Sequence, residues 1–589
     1  MKLRITTILI LLLALTLNTD AQRKKGGAKK PAKTSVKKAA KKEKGKKQPA
    51  KKGKQTAAPK TKVVVKDTAD LKSATIEIVQ SYKPEVKQAV KPELHADLPP
   101  VDTSLVAMNY DVPPQSLYYS YNALPLRPLA LGKDTVVDKL VNYVKLGGGN
   151  LSTILLDAGI TAWKGRSFYT VFNVRHLSQA GSIKYQKSAM TGMDADGYIK
   201  GEDLLWHVGV GMQYNKFYQY GYDHSILNYN TDDIARKFFG ANVTVDVQDR
   251  DDDKKLSYHP SINLRTYNMS TVTGSDASEY NVIAKVPFTY TIDTALKLGL
   301  ALNGAFSKMN NSLANSKEPT NYVQLAPTID FKKGLFATRI GLSPTVGAYN
   351  VLYVLPDMNV SFRLIRKSQM LFLLGWDGKL RQNTFEQLST INPYMTVSKG
   401  VEQTHTDEIY GSLQTNVGKH ITVSGRLSYW QYGNMPLFIN DTANDNKQLN
   451  VVYDKVNAMS LQGALRYTIG QTLSVGGSII YTTYNADMNR YTWHEPSLRL
   501  NADLSVRPIP ELLITGYLTV MDGMYALDKG NRSVKLPTVF DLGAGAEYSF
   551  MPRLSAFAQV NNIFNNQYER WYGYRAYGFN ILGGVRLKF

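Results

Sequence analysis

The sequence predicts an all-β transmembrane protein: an antiparallel outer-membrane β-barrel of about 22 strands, preceded by an extended strap and a disordered Lys-rich tail. Three observations carry this reading. From Val141 to the end, apolar residues recur at every second position, the period of a strand with one dry face. Short turns alternate with long polar connections along the same stretch, the asymmetry of a barrel whose loops lie on one side of a membrane. Beyond the N-terminus no run reaches the roughly 18 apolar residues of a membrane helix, and the mean hydropathy of −0.28 excludes a helical membrane bundle.

The elements follow in chain order. Residues 1–21 have the layout of a secretory signal peptide: Lys2 and Arg4, an apolar run from Ile5 to Leu17, and a small-residue exit at Ala21. The alternative is an uncleaved anchor. Residues 22–62 contain 17 Lys and one Arg against the single acid Glu43. Such a tract buries no core and is expected to be disordered. Behind a signal peptide the expected partners are lipid headgroups, an anionic periplasmic polymer or an acidic protein, the alternative being a solvated spacer. It has no interleaved aromatics and no folded reader, which argues against nucleic acid. Residues 63–140 carry Pro84, Pro92, Pro99, Pro100, Pro113, Pro114, Pro125 and Pro128, so they read as an extended periplasmic or luminal strap rather than a compact domain.

Residues 141–589 read as the barrel. In SLRLNADLSVRP, Leu498, Leu500, Ala502, Leu504 and Val506 alternate with Arg499, Asn501, Asp503, Ser505 and Arg507. Tight turns are expected at TIDTA, FKKGL, RKSQM, VGKHI, TIGQT and FMPRL, with long loops at Arg381–Thr406 and Tyr432–Val456. Strand starts are predicted near 142, 151, 167, 204, 216, 236, 256, 279, 294, 322 and 335. The remainder are predicted near 352, 368, 407, 420, 456, 472, 496, 511, 537, 553 and 577. Charged residues at the non-apolar positions fit a wet lumen better than an array of sandwiches, whose sheets hide both inner faces. With 37 Tyr against 19 Phe, the aromatic content favours an amphipathic ring suited to membrane interfaces. The absence of cysteine excludes disulfides and thiolate metal sites.

The last strand places Phe579, Ile581, Val585, Leu587 and Phe589 on one face, and reads as extending back to Tyr577. A terminal aromatic after alternating hydrophobics resembles the C-terminal strand of outer-membrane proteins, which implies a barrel-assembly signal. Upstream, VNNIFNNQYERWYGYRAYGFNILGGVRLKF resembles the last hairpin of TonB-dependent receptors. Val560, Asn562, Ile563, Phe564, Asn565 and Tyr568 match its V-x-N-[LI]-F-[ND]-x-x-Y pattern. INPYM, with Asn392, Pro393 and Tyr394, resembles a motif of the same barrels. The resemblance covers residues 141–589 and implies the receptor barrel. The chain departs from the family upstream, where the residues between Val63 and the first strand hold neither a plug domain nor a TonB box. A lumen of this width needs filling, by the strap, by inward loops or by a partner.

No catalytic residue, cofactor or metal is expected. The eight His show no i, i+4 pairing. His405–Asp407 with Glu402 nearby lacks a nucleophile signature, and DRDDDKK at 249–255 lacks the Gly and Glu of a calcium loop. The expectation is therefore a non-catalytic component of a multi-protein outer-membrane complex, concerned with assembly, export or organisation. The alternative is a transporter or porin for a bulky nutrient, occluded by its own loops or strap. In both cases the outer-membrane lipid surrounds the barrel and the N-terminal region lies in the periplasm.

Overall fold

In every second wall position an apolar side chain points away from the barrel axis, and this alternation decides the architecture. The computed structural model describes residues 142–249, 254–272, 276–311, 320–365, 369–396, 400–442 and 445–589, all within the compact unit Pro84–Phe589. The signal peptide, the lysine tract, the strap and most of DRDDDKK lie outside the described residues.

The wall begins with β1 (Tyr143–Gly149), β2 (Thr153–Lys164), β3 (Phe168–Ala180), β4 (Lys187–Lys200), β5 (Leu204–Tyr218) and β6 (Ala235–Asp249). The seventh strand, β7, has two stretches, Leu256–Tyr258 and Ser261–Ser270, interrupted at Pro260. Next come β8 (Ala277–Thr291), β9 (Leu296–Asn311), β10 (Tyr322–Lys333), β11 (Phe336–Val346), β12 (Leu352–Ile365) and β13 (Met370–Arg381). They are followed by β14 (Thr404–Val417), β15 (Ile421–Asn440), β16 (Leu449–Ile469), β17 (Leu473–Ala486) and β18 (Leu498–Ile509). The last four are β19 (Leu512–Asp522), β20 (Val539–Met551), β21 (Leu554–Asn561) and β22 (Asn580–Lys588). Each strand pairs antiparallel with the next, and β1 pairs with β22 from Tyr143↔Lys588 to Gly149↔Leu582. The result is a closed barrel of 22 strands, and closure leaves no sheet edge unpaired.

β5 shows the two faces clearly. Trp206, Val208, Val210, Met212 and Tyr214 are 37–51% exposed on the outside. His207 on the opposite face lies between Asp246 (2.6 Å) and Asp196 (3.0 Å). Trp206 to Tyr214 spans nine residues and Tyr280 to Tyr290 eleven, which matches the roughly 9–11 residues a tilted strand needs to cross the hydrocarbon. Trp163, Phe168, Phe550 and Phe589 are exposed at the short-turn rim, as an interfacial aromatic girdle requires. Inner-wall charges are paired: Arg339 with Asp330 (2.7 Å), Arg426 with Glu408 (2.6 Å), Arg466 with Asp503 (3.1 Å) and Arg586 with Glu547 (3.4 Å).

The closure seam is lined by glycine. Gly147 faces Gly584 and Gly148 faces Gly583. The backbones approach so closely that a Cβ on Gly149 would meet the Ile581 carbonyl oxygen at 2.1 Å, and one on Gly584 the Leu146 carbonyl oxygen at 2.0 Å. Asn150 clamps the loop end of the seam, accepting from Ile581 N (2.8 Å) and donating to the Phe579 carbonyl (2.9 Å). At the other end Phe589 N donates to the Asn142 carbonyl at 3.0 Å.

The turn asymmetry is as the sequence predicts, with TIDTA, FKKGL, VGKHI, TIGQT and FMPRL all on one rim; most of RKSQM lies outside the described residues. Three details differ. The strand expected near 216 is the end of β5, and β4, between the starts expected near 167 and 204, makes up the number. The outward face of β4 carries Met193 and Ile199 separated by the small residues Ala195 and Gly197, with Ala189 and Thr191 before them, which breaks up the alternating signal. The loop expected at Tyr432–Val456 is mostly strand, because β15 and β16 continue past a bulge at Tyr432/Met435. Finally, β22 starts at Asn580, and Tyr577 is buried in the preceding loop rather than on the lipid face.

Candidate functional site

The long loops fold onto one another and into the mouth of the barrel. The loop between β13 and β14 carries a short helix, α1 (Phe385–Ile391), started by Thr384, whose hydroxyl accepts from Gln387 N at 3.2 Å. Glu279, inward-facing on β8, takes the helix N-terminus: its carboxylate accepts from Phe385 N and Glu386 N (both 3.1 Å) and from the Ser307 hydroxyl (3.0 Å). A carboxylate suits this position because the first helical N–H groups have no partner within the helix. Glu386 reaches to Gln213 (3.2 Å) and Arg265 (3.6 Å). Burial raises the Glu386 carboxyl above the usual range, with Arg265 opposing. Ser389 donates to Tyr267 OH at 3.3 Å. Side chains of β5, β7 and β8 thus hold α1 against the inner wall, and Ser307 of β9 supports Glu279.

INPYM follows this helix. Arg236, buried on β6, donates to the carbonyls of Pro393 (3.3 Å) and Met395. With its amide oxygen turned toward Arg236, Gln219 accepts from Nε and Nη2 at 3.0 Å each. A guanidinium held by neutral oxygens is costly to bury and strongly directional, so it fixes where the loop dips. Tyr394 then stacks on Tyr574 at 3.6 Å, and Met395–Thr396 pairs in parallel with Leu449–Asn450. Phe385, Leu388, Tyr394, Phe438, Trp571 and Tyr574 share one hydrophobic core. It is built from loops and strand ends rather than wall centres. Burial raises the Tyr574 hydroxyl pKa, and that hydroxyl donates to the Lys447 carbonyl at 2.6 Å.

His494 joins the other half of this cap. It is fully buried, and its ring Nδ1 lies 2.8 Å from the Phe438 carbonyl while Nε2 accepts from Tyr572 N at 3.3 Å. That pair of partners selects the neutral tautomer protonated at Nδ1. Burial pushes its pKa down to about 3, and the Arg570 guanidinium adds to the effect. Its backbone carbonyl accepts from Arg570, and its N–H donates to the Tyr525 carbonyl at 2.9 Å. Arg570, half-buried, has its pKa lowered to about 10 by desolvation. Asp454 anchors the same loop by accepting from Asn489 N at 2.8 Å. Three connections and the end of β15 meet at His494.

The V-x-N-[LI]-F-[ND]-x-x-Y residues shape the last of these loops. Val560 pairs with Ile581 across β21 and β22. Asn562 (φ 46) and Asn565 (φ 52) take left-handed conformations that asparagine tolerates. Asn562 donates to the Asn566 and Tyr577 carbonyls at 2.9 Å, and Asn565 accepts from Phe579 N at 2.9 Å. Tyr568 turns inward, donating to Asp541 at 2.8 Å, whereas Phe564 is exposed beside Phe540. Phe579, Ile581, Val585, Leu587 and Phe589 all stand on the outer face. The two residue sets are therefore separate: one crimps the cap, the other lies against lipid. On β14, His405 Nε2 lies 3.2 Å from the Asp407 carboxylate. Among the described residues no three His, Asp or Glu side chains are grouped to hold a metal. Glu279, Arg236, His494 and Arg570 were not singled out by the sequence. Glu279 and Arg236 alternate like any inward charge, and only INPYM marked the loop they hold; His494 and Arg570 lie in loops, where no periodicity marks them.

The class this fold defines is the large outer-membrane β-barrel, closed, with 22 strands and long loops on one rim. No protein-family model and no curated protein matches the sequence. Among solved structures, the chain is similar to the FrpB iron transporter from Neisseria meningitidis (F3-3 variant), with TM-score 0.61, 12% identity, and coverage of 76% of this chain and 81% of that one. It is similar to the pyoverdine outer membrane receptor FpvA from Pseudomonas aeruginosa PAO1 bound to pyoverdine, with TM-score 0.57, 11% identity, and coverage of 76% and 78%. The siderophore receptor PirA from Pseudomonas aeruginosa gives TM-score 0.54, 10% identity, and coverage of 76% and 79%. At these identities the likeness is one of fold.

Proposed function

We propose that this protein is an outer-membrane transport barrel for a bulky solute, closed at its long-loop end by its own loops, with α1 as the gate. The observation that carries this is the docking of α1 on Glu279, Gln213 and Arg265 inside the wall. α1 is held by the buried side chains of Phe385 and Leu388 and by these polar contacts, and a single loop packed on a rigid wall can be displaced as a unit. The fold is shared with an iron transporter and siderophore receptors, and this supports transport over the complex-subunit reading. That reading rested on a lumen needing a partner to seal it. Loops that fold inward supply a seal at one end without one.

The test is conductance. In planar bilayers the intact chain should be silent or open rarely, and excision of residues 384–396 should give large, long-lived openings. Cells carrying the excised form should become sensitive to bulky antibiotics that the outer membrane normally excludes. A freely conducting intact chain, or an excised form as silent as the parent, would refute the gate.

A further inference from the structure

The outward face of β5 and β6 carries a charge arrangement that the inner wall avoids. Lys216 lies directly opposite Lys237, and like charges so placed, with Cβ atoms about 4.5–5.5 Å apart, destabilise a sheet. Both lysines share the face of the Tyr214–Phe239 pair, whose two side chains are each 42% exposed on the outside. On β4, Ala189 pairs with Lys216, and Lys187 is the next residue on the same face. On β7, Ser270 pairs with Lys237. Lys187, Lys237 and Ser270 are exposed, and Lys216 is half-buried with its ammonium 5.0 Å over the Tyr218 ring. Lys254, Lys379, Lys529 and Lys535 each have a carboxylate partner. Among the described residues, Lys187, Lys216 and Lys237 have none. Asp232, in the loop before β6, acts on Lys216 without forming an ion pair with it.

The level of this group on the wall says what it meets. All three lysines stand at the long-loop ends of their strands, and the Lys216–Lys237 pair is one same-face step, about 6.8 Å, beyond Tyr214 and Phe239. Those two rings end the apolar row that begins at Trp206. The ammonium groups therefore lie at headgroup depth, directly above a surface that acyl chains cover. A phosphate between the opposed ammonium groups relieves their repulsion and can accept from the Ser270 hydroxyl as well. A free phosphate would satisfy the lysines but leave the apolar row beneath them unused. We propose that Lys187, Lys216 and Lys237 form a binding site for the phosphate-bearing headgroup of a lipid in the leaflet on the long-loop side. The proposal does not depend on what the barrel transports.

The chain lacks cysteine, so a dye on Met212→Cys, on the lipid face below the lysines, is unique. Ile409→Cys, on the lipid face of β14, is the control. The full chain is folded into phosphatidylcholine bilayers containing a small fraction of phosphatidic acid with brominated acyl chains, which quench the dye on contact. Each nearby lysine contributes roughly a fivefold preference for an anionic headgroup, so quenching at position 212 should exceed that at 409 by about threefold or more. Lys216→Gln combined with Lys237→Gln should bring the two positions level, although parent and variant both retain the Lys-rich tract. Heat-modifiable gel mobility checks folding, and Lys187→Gln with Lys237→Gln replaces the first pair if it fails that check. In phosphatidylcholine alone the double variant should be at least as heat-stable as the parent, and with phosphatidic acid the order should reverse. Equal quenching at 212 and 409 in the parent would overturn the proposal, as would an excess at 212 that survives in the double variant. Loss of the excess on adding millimolar inorganic phosphate would overturn the lipid as the ligand and show a free-anion site.

Discussion

Glu279→Ala tests the gate most directly. The Glu279 carboxylate is 2% exposed and holds two helix N–H groups and the Ser307 hydroxyl. Removing it leaves the Phe385 and Glu386 N–H groups without their acceptor, at about 1–3 kcal/mol each for buried groups. It also removes the charge at the helix N-terminus, a further ~0.3–1 kcal/mol. Wall and loop relax in part, so about 3–5 kcal/mol of docking energy is expected to go. At about 1.4 kcal/mol per factor of ten, the undocked population rises roughly 10²- to 10³-fold. Glu279→Gln keeps the shape and one acceptor oxygen, and should fall between wild type and Glu279→Ala. Ser389→Cys provides the readout, because Ser389 is buried against Tyr267 only while α1 is docked. Labelling of the introduced thiol and bilayer open probability should rise together. If Glu279→Ala labels and conducts like the parent, α1 is held by the apolar core alone and the reasoning from its N-terminus is wrong.

Three further outcomes are expected. His494 is neutral in the closed cap with a pKa of about 3, whereas in an open loop it titrates near 6.5. Its contribution to closure is therefore complete above about pH 6.5 and is lost as pH falls toward 3. At about 1.36 kcal/mol per unit, lowering pH from 7 to 5 should raise cap opening roughly 20- to 30-fold, and His494→Phe should abolish that part of the dependence on pH. On the wall, Leu500 pairs with Ile479 on the lipid face and Asn501 bonds Thr519 in the lumen. Leu500→Arg should cost about 2–4 kcal/mol near the midplane in a denaturant titration, and Asn501→Arg much less. Equal costs would contradict the facing. For the basic tract, we propose a role confined to charge: deletion of Lys24–Lys62 should preserve heat-modifiable mobility, and binding to anionic vesicles should weaken steeply with salt. Salt-independent binding would rule that out.

The wall was legible because a strand between lipid and water must alternate, and Leu498 to Val506 do so without exception. β4 was not, since small outward residues, Ala189, Ala195 and Gly197, interrupt its two large ones, Met193 and Ile199. The β15–β16 extension was missed for the opposite reason: Pro436, Asn440 and Asn450 resemble a loop, but the strands continue because loop packing buries Leu437 and Leu449. The gate was visible only as INPYM. What makes that motif matter is Arg236 and Glu279, which lie 157 and 106 residues away from their loop partners Pro393 and Phe385, and separation of that kind leaves no local periodicity to read.

The glycine seam also bears on how the barrel is assembled. Its two strands are joined across the full length of the folded chain, so their encounter carries the largest loop-closure cost of any pairing in the wall. Register is normally chosen by cross-strand side chains, and glycine offers none. At Gly147–Gly584 and Gly148–Gly583 the choice passes to the ends, to Asn150 gripping Ile581 and Phe579 on one side and Phe589 meeting Asn142 on the other. A slip of two residues would keep every side chain on its proper face yet break both grips. The seam therefore catches at both ends, and between the glycines and the short-turn rim it is held as well by the pairs from Tyr143↔Lys588 to Leu146↔Val585 and by Arg586 over the Tyr143 ring.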